Sequence, residues 1–231
     1  MSVRSRLERV LGAVERWEVL DAPGYQVEHG IALTYLLTGR YARPLQDLLH
    51  GVWLGHPPHE ALVTVPVGAW TAASVLDGLD ATGRGGPGAG PAARTVVGVG
   101  VAGAVASAAT GFTDWQHAHD GARRVGLVHA GVNSTALALY VWSFADRGRG
   151  RAVRARVTAA AGLTLTVASS WLGGALSYRH GLGTDPADRT LPPRRLTPAL
   201  PDADPVDGAP AGVDVAGRPL LLAAPARGVH A

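Results

Sequence analysis

The sequence predicts an all-α fold: an integral membrane bundle of four antiparallel helices, with an N-terminal amphipathic helix and a short C-terminal β-hairpin remnant. Two observations predict it. The 231 residues carry 21 basic and 18 acidic side chains, yet long stretches of the second half of the chain contain none of them. Those stretches are rich in Gly, Ala, Ser and Thr, the small residues through which membrane helices approach each other closely.

The N-terminal region predicts an amphipathic helix over residues 4–20, lying on the membrane surface or packing on the bundle. Its apolar positions recur at helical spacing, at Leu7, Val10, Leu11, Val14 and Trp17. Asp21, Pro23 and Gly24 are expected to end this helix. A second apolar patch, residues 29–39, is too short to cross a bilayer.

Four apolar segments follow. The uncharged runs at 95–113, 125–145 and 157–178 contain 19, 21 and 22 residues, and a bilayer core needs about 20 helical residues. A shorter run at 61–76 contains Pro66 and is read as a span because of its place in the series. The alternative is a soluble bundle of four unusually apolar helices. Interfacial aromatic side chains are expected near the segment ends, at Trp70, Trp115, Trp142 and Trp171.

Charge placement predicts the orientation of the bundle in the membrane. Short loops make neighbouring helices antiparallel, so both chain termini share one end of the bundle with the loop at 114–124. The other end, called the arginine end, holds Arg84, Arg94, Arg147, Arg149, Arg151, Arg154 and Arg156. The positive-inside rule places the arginine end in the cytoplasm and both termini outside. Asp77 and Asp80 lie at the arginine end and are expected to be solvated.

Histidines mark the opposite end of the bundle. This histidine end collects His50, His56, His59, His117, His119, His129 and His180. Imidazoles from several helices at similar depth predict a site for haem or a metal at His56, His59 and His129, with Asp114 as a further metal ligand.

Structural alternatives stay open for these histidines. His129, inside the third span, would then form a hydrogen bond with Asn133 or Asp114. His56 and His59 would belong only to a helix start, since Pro is tolerated in the first turn of a helix.

Composition excludes several functions. The chain has no Cys, so it can hold no iron–sulfur cluster and has no thiolate nucleophile. A net charge of +3 without a surface of basic and aromatic residues argues against nucleic acid as a partner. No catalytic motif is complete, so the sequence leaves open whether the chain is an enzyme or a component of an oxidoreductase.

The stretch QDLLHGVWLGHPPHEALVTVPVGAWTAASVLDGLD at 46–80 resembles a bacterial family of four-helix membrane domains of unknown function, often fused to a C-terminal Rieske iron–sulfur domain. The resemblance continues through 110–115, 123–140 and 171–185, although Glu60 stands where that family has Pro. It implies four spans and a Rieske-type redox context. Residues 212–231 resemble the opening of the Rieske domain, which would be cut off before its Cys and His ligands.

The predicted organisation is an N-terminal helical segment (1–49), a four-helix transmembrane domain (50–182), a Pro/Asp-rich linker (183–211) and the incomplete Rieske-like hairpin (212–231). The favoured function is a membrane anchor or scaffold for a Rieske-type ferredoxin or other electron-transfer protein. One alternative is a redox module that binds haem or a metal. Another is a small conductor of protons or metal ions that uses His129 and Asp114.

Overall fold

The computed structural model describes residues 3–183 and two short strands, 211–214 and 219–222. The chain forms two compact units, Met1–Pro186 and Ala187–Ala231. The helices of the first unit are α1 (Val3–Glu15), α2 (Asp21–Leu37), α3 (Ala42–Leu49), α4 (His59–Leu62), α5 (Thr64–Ala81), α6 (Ala89–Trp115), α7 (Asp120–Gly148) and α8 (Ala152–Tyr178). Short 3₁₀ turns at Glu18–Leu20 and Gly39–Tyr41 separate α1, α2 and α3.

The all-α membrane fold is confirmed. Four segments are long and apolar enough to cross a membrane: His59–Ala81, which joins α4 to α5, Ala89–Trp115, Asp120–Gly148 and Ala152–Tyr178. The first helix pair, α4–α5 with α6, and the second, α7 with α8, are each packed antiparallel, and α6 also contacts α7 while α5 contacts α8. The helices α5 and α7 therefore lie diagonally opposite each other in the bundle.

Two tryptophans are buried between helices of the bundle, which corrects the interfacial role expected of them. Trp70 is 3% exposed and packs with Ala73, Val97 and Tyr140. Trp115 is also buried, and its indole Nε1 donates to the carbonyl of Arg123. Both rings face small residues of neighbouring helices, where burial of a large aromatic surface outweighs an interfacial position.

The amphipathic helix α1 packs on the bundle, which decides between its two predicted positions. Leu11 and Val14 are buried against Val125, Leu172 and Leu176. The helix ends at Glu15, earlier than expected, and Asp21 begins the helix α2. The expected stop was wrong because Asp and Pro are both favourable in the first turn of a new helix.

Ion pairs tie the N-terminal helices to α7. The guanidinium of Arg124 donates to both carboxylate oxygens of Asp21, at 2.7 and 2.6 Å. This hydrogen bonding lowers the pKa of the Asp21 carboxyl from its ordinary value. The neighbouring Arg123 lies 2.9 Å from Glu28 and stacks over the ring of Tyr25.

The second unit contains the predicted β-hairpin. The strands β1 (Ala211–Asp214) and β2 (Pro219–Leu222) pair antiparallel, with Gly212 opposite Leu221 and Val213 opposite Leu220. Apart from its two end residues, the predicted linker 183–211 lies outside the described residues, as does the end of the Rieske-like segment after residue 222.

Candidate functional site: the histidine contacts between helices

His59 connects the first two spans at the histidine end of the bundle. Its Nδ1 lies 2.8 Å from the backbone carbonyl oxygen of Ser107 on α6. A carbonyl oxygen can only accept, so Nδ1 is the donor in this contact. The ring rests on Gly111, where a Cβ atom would lie 2.7 Å from the Cε1 of His59. Glycine at this position is therefore required for the close approach of the imidazole.

His129 makes the same contact between the last two spans. Its Nδ1 lies 3.0 Å from the carbonyl oxygen of Ser169 on α8, and a Cβ atom at Gly173 would lie 3.1 Å from its Cε1. The side-chain Nδ2 of Asn133, one turn further along α7, donates to Nε2 at 3.0 Å. Asn133, one of the two predicted partners, is thus confirmed. Asp114, the other, binds His50 instead.

Asp114 is occupied elsewhere at the histidine end. Its carboxylate lies 2.8 Å from the Nδ1 of His50, and the ring of His50 stacks on His117 with centroids 5.4 Å apart. The Nδ1 of His56 lies 3.0 Å from the carbonyl oxygen of Pro57. Among the described residues, no three His, Asp or Glu side chains are arranged to hold a metal ion. A ligand site at His56, His59, His129 and Asp114 stays a prediction.

Two aromatic rings stack at the centre of the bundle, further along the same helices. The rings of Trp70 and Tyr140 lie 3.9 Å apart and 8° from parallel. Each ring packs against a glycine of a neighbouring helix. A Cβ atom added at Gly100 would lie 2.2 Å from the Nε1 of Trp70, and one added at Gly162 would lie 2.8 Å from the Cε2 of Tyr140. The indole nitrogen and the phenol oxygen are both buried without a hydrogen-bond partner in the described structure.

These contacts repeat at equivalent positions of the two helix pairs. Trp70 follows His59 by eleven residues, and Tyr140 follows His129 by eleven residues. On the partner helices the order glycine, serine, glycine recurs with the same spacing, at Gly100, Ser107 and Gly111 and again at Gly162, Ser169 and Gly173. The bundle is therefore built from two helix pairs that use one pattern of contacts twice.

The arginine end is held by buried and half-buried ion pairs, which corrects the solvated state expected of its aspartates. The carboxylate of Asp77 accepts two hydrogen bonds from Arg147, at 2.7 and 2.5 Å, with both side chains at most 10% exposed. Arg156 pairs with Asp80 in the same region. Arg154 binds both oxygens of the fully buried Asp146. A buried carboxylate requires such a partner, which the solvated reading ignored.

Comparison with known proteins places this bundle in a family. A family model described as "Predicted membrane protein (DUF2231)" matches residues 55–186, more than half of the chain. The chain belongs to the DUF2231 family. Searches of the curated proteins and of the solved structures find no match.

The DUF2231 match covers all four candidate spans and the contacts of His59, His129, Trp70 and Tyr140. It begins after α3, so His50 and the N-terminal helices lie outside the matched region, as do the two β-strands.

Sequence reasoning missed the repeat in the DUF2231 region, although a signal for it was visible. Val-Ala-Ser stands at 105–107 and again at 167–169, each followed four residues after its serine by a glycine. The composition of the uncharged runs predicted only that their Gly and Ser residues let the helices pack closely. Their spacing relative to His59 and His129 identifies which of them accept an imidazole.

Proposed function

We propose that this chain is a membrane anchor that holds a Rieske-type electron-transfer protein at the bacterial cell membrane. The observation that carries the proposal is the β-hairpin in the second unit, whose strands β1 and β2 have four residues each. A two-stranded hairpin is marginally stable in water on its own. Strand addition from a partner protein would extend this sheet with further backbone hydrogen bonds.

The histidine contacts support an anchor in the membrane part. His59, His129 and His50 each bind an acceptor on another helix of the first unit. Hydrogen bonds between helices stabilise membrane bundles, typically by about 0.6 kcal/mol and up to roughly 2 kcal/mol each. Such contacts give a rigid platform without requiring a reaction at the site.

The partner is tested by adding purified Rieske-type ferredoxin from the same genome to the full chain in detergent. In size-exclusion chromatography, we expect the electron paramagnetic resonance signal of the [2Fe–2S] cluster to elute with the chain. Val213→Pro should abolish this co-elution, because proline removes a backbone donor from the strand that pairs at Leu220. Val213→Ile is the matched control. Free ferredoxin with the native chain, or unchanged co-elution with Val213→Pro, would contradict the proposal.

In the proposed topology the arginine end lies in the cytoplasm and both termini lie outside, as the positive-inside rule indicates. The absence of Cys from the chain makes single-cysteine labelling direct. His119→Cys and Thr82→Cys introduce thiols at exposed positions of the two opposite ends. We expect an impermeant maleimide to label only His119→Cys in intact cells, and both variants after permeabilisation. The reverse pattern would overturn the orientation.

A further inference from the structure

His59 and His129 lie at equivalent depths on the two diagonal helices. Each precedes an aromatic ring of the central stack by eleven residues, which is about three helical turns and returns to the same helix face. Because Trp70 and Tyr140 meet at the centre of the bundle, both imidazoles are placed towards the space between those helices.

Both imidazoles are prepared in the same way for a ligand. The Nδ1–H groups donate to the carbonyl oxygens of Ser107 and Ser169, at 2.8 and 3.0 Å. Metal-ligating histidines typically donate their second ring N–H to such an acceptor, which fixes the ring orientation and leaves the other nitrogen free to ligate. Among the described residues, the Nε2 of His129 accepts a hydrogen bond from Asn133 alone, a neutral side chain that can release it.

The composition of the pair selects the class of ligand. Asp114 is paired with His50, and among the described residues no third His, Asp or Glu ligand joins His59 and His129. A bare divalent cation would keep its charge uncompensated in an apolar interior and would lack protein ligands. A haem iron needs only two axial ligands from the protein, because the porphyrin supplies four nitrogens and two negative charges.

We propose that His59 and His129 are the two axial ligands of a haem iron, and that His56 and Asp114 take no part. In this arrangement the Ser107 and Ser169 carbonyls orient the imidazoles, while Gly111 and Gly173 allow each ring to lie close to its supporting helix. The proposal is independent of the anchor function, since haem binding and partner binding use different units of the chain.

The test is a titration of the purified full chain with hemin in detergent, followed by visible absorption and electron paramagnetic resonance. We expect saturation at one hemin per chain and a low-spin ferric signal with two imidazole ligands. Dithionite should convert it to a six-coordinate ferrous spectrum. With the native chain, no hemin binding, or binding only as high-spin hemin, would overturn the proposal. Stoichiometric zinc or copper in the purified chain in place of haem would overturn it as well.

Variants assign the ligands. His59→Ala and His129→Ala should each lose the six-coordinate spectrum, and added imidazole should restore it. A purely structural histidine would show no such spectral rescue. His56→Ala and His119→Ala are matched controls at the same end of the bundle and should keep the native spectrum. An unchanged six-coordinate spectrum in both His59→Ala and His129→Ala would refute the assignment. Ferredoxin co-elution, measured on the same samples, reports separately on the anchor function.

Discussion

The ion pair between Asp77 and Arg147 gives a quantitative test of how the bundle is held together. Asp77→Leu would leave the guanidinium of Arg147, whose side chain is 7% exposed, without its carboxylate. Removing one partner of a buried ion pair costs about 3–5 kcal/mol, whereas replacing both by apolar residues is often neutral. We expect Asp77→Leu and Arg147→Met each to destabilise strongly, and the double variant to recover most of the loss.

Reversible unfolding in mixed micelles with increasing sodium dodecyl sulfate, followed by circular dichroism, measures these free energies. If the double variant recovers most of the loss, the double-mutant cycle should show a coupling energy close to the sum of the two single losses. Arg151→Met is the control: that side chain is 56% exposed and lies 3.7 Å from Asp146, so the change should stay within about 0.5 kcal/mol. The reasoning fails if the single variants resemble this control, or if the double variant loses the sum of both.

Two further variants test packing and pH dependence. Gly100→Ala would place a Cβ atom 2.2 Å from the Nε1 of Trp70, and we expect a loss of about 1–3 kcal/mol in the same unfolding assay. Gly68→Ala, with no atom within 4 Å of the added Cβ, should change little, and equal losses in the two variants would contradict the packing argument. Because the hydrogen bond from Arg124 lowers the pKa of Asp21, this carboxylate stabilises the folded state above its unfolded pKa of about 4. The stability advantage of the native chain over Asp21→Asn should therefore be full at neutral pH and disappear as the pH falls below about 4, and an advantage independent of pH would refute this account.

The sequence alone was sufficient for the fold class, because charge-free runs of spanning length constrain a chain strongly. It also gave Asn133 as one of two candidate partners of His129, since residues four apart on a helix lie side by side, and the structure shows this contact. The partner of Asp114 could not be predicted in this way. His50 belongs to the region after α3, and no periodic pattern specifies how such a segment docks on the bundle.

Helix rotation was the main unknown. Asp77 lies near the end of a span, where solvation and a buried ion pair are equally compatible with its position along the chain. The contact with Arg147 depends on which way both helices face. Trp70 illustrates the same limit: its place near the end of an uncharged run suggested the interface, while Gly100 on the adjacent helix provides the space that buries it. A glycine on one helix that matches a large side chain on its neighbour indicates which faces of the two helices meet. The uncharged run of one helix alone does not indicate this.

The repeated helix pairs carry opposite charges at one pair of equivalent buried positions, and this difference bears on how they assemble. Asp77 follows Trp70 by seven residues, as Arg147 follows Tyr140, so a negative and a positive charge occupy corresponding places. Two copies of the first pair would bring aspartate against aspartate, and two copies of the second would bring arginine against arginine. Like charges without counterions are strongly unfavourable in an apolar interior. Pairing of the two different halves of the bundle is therefore favoured over pairing of two identical halves, because only the former brings Asp77 against Arg147.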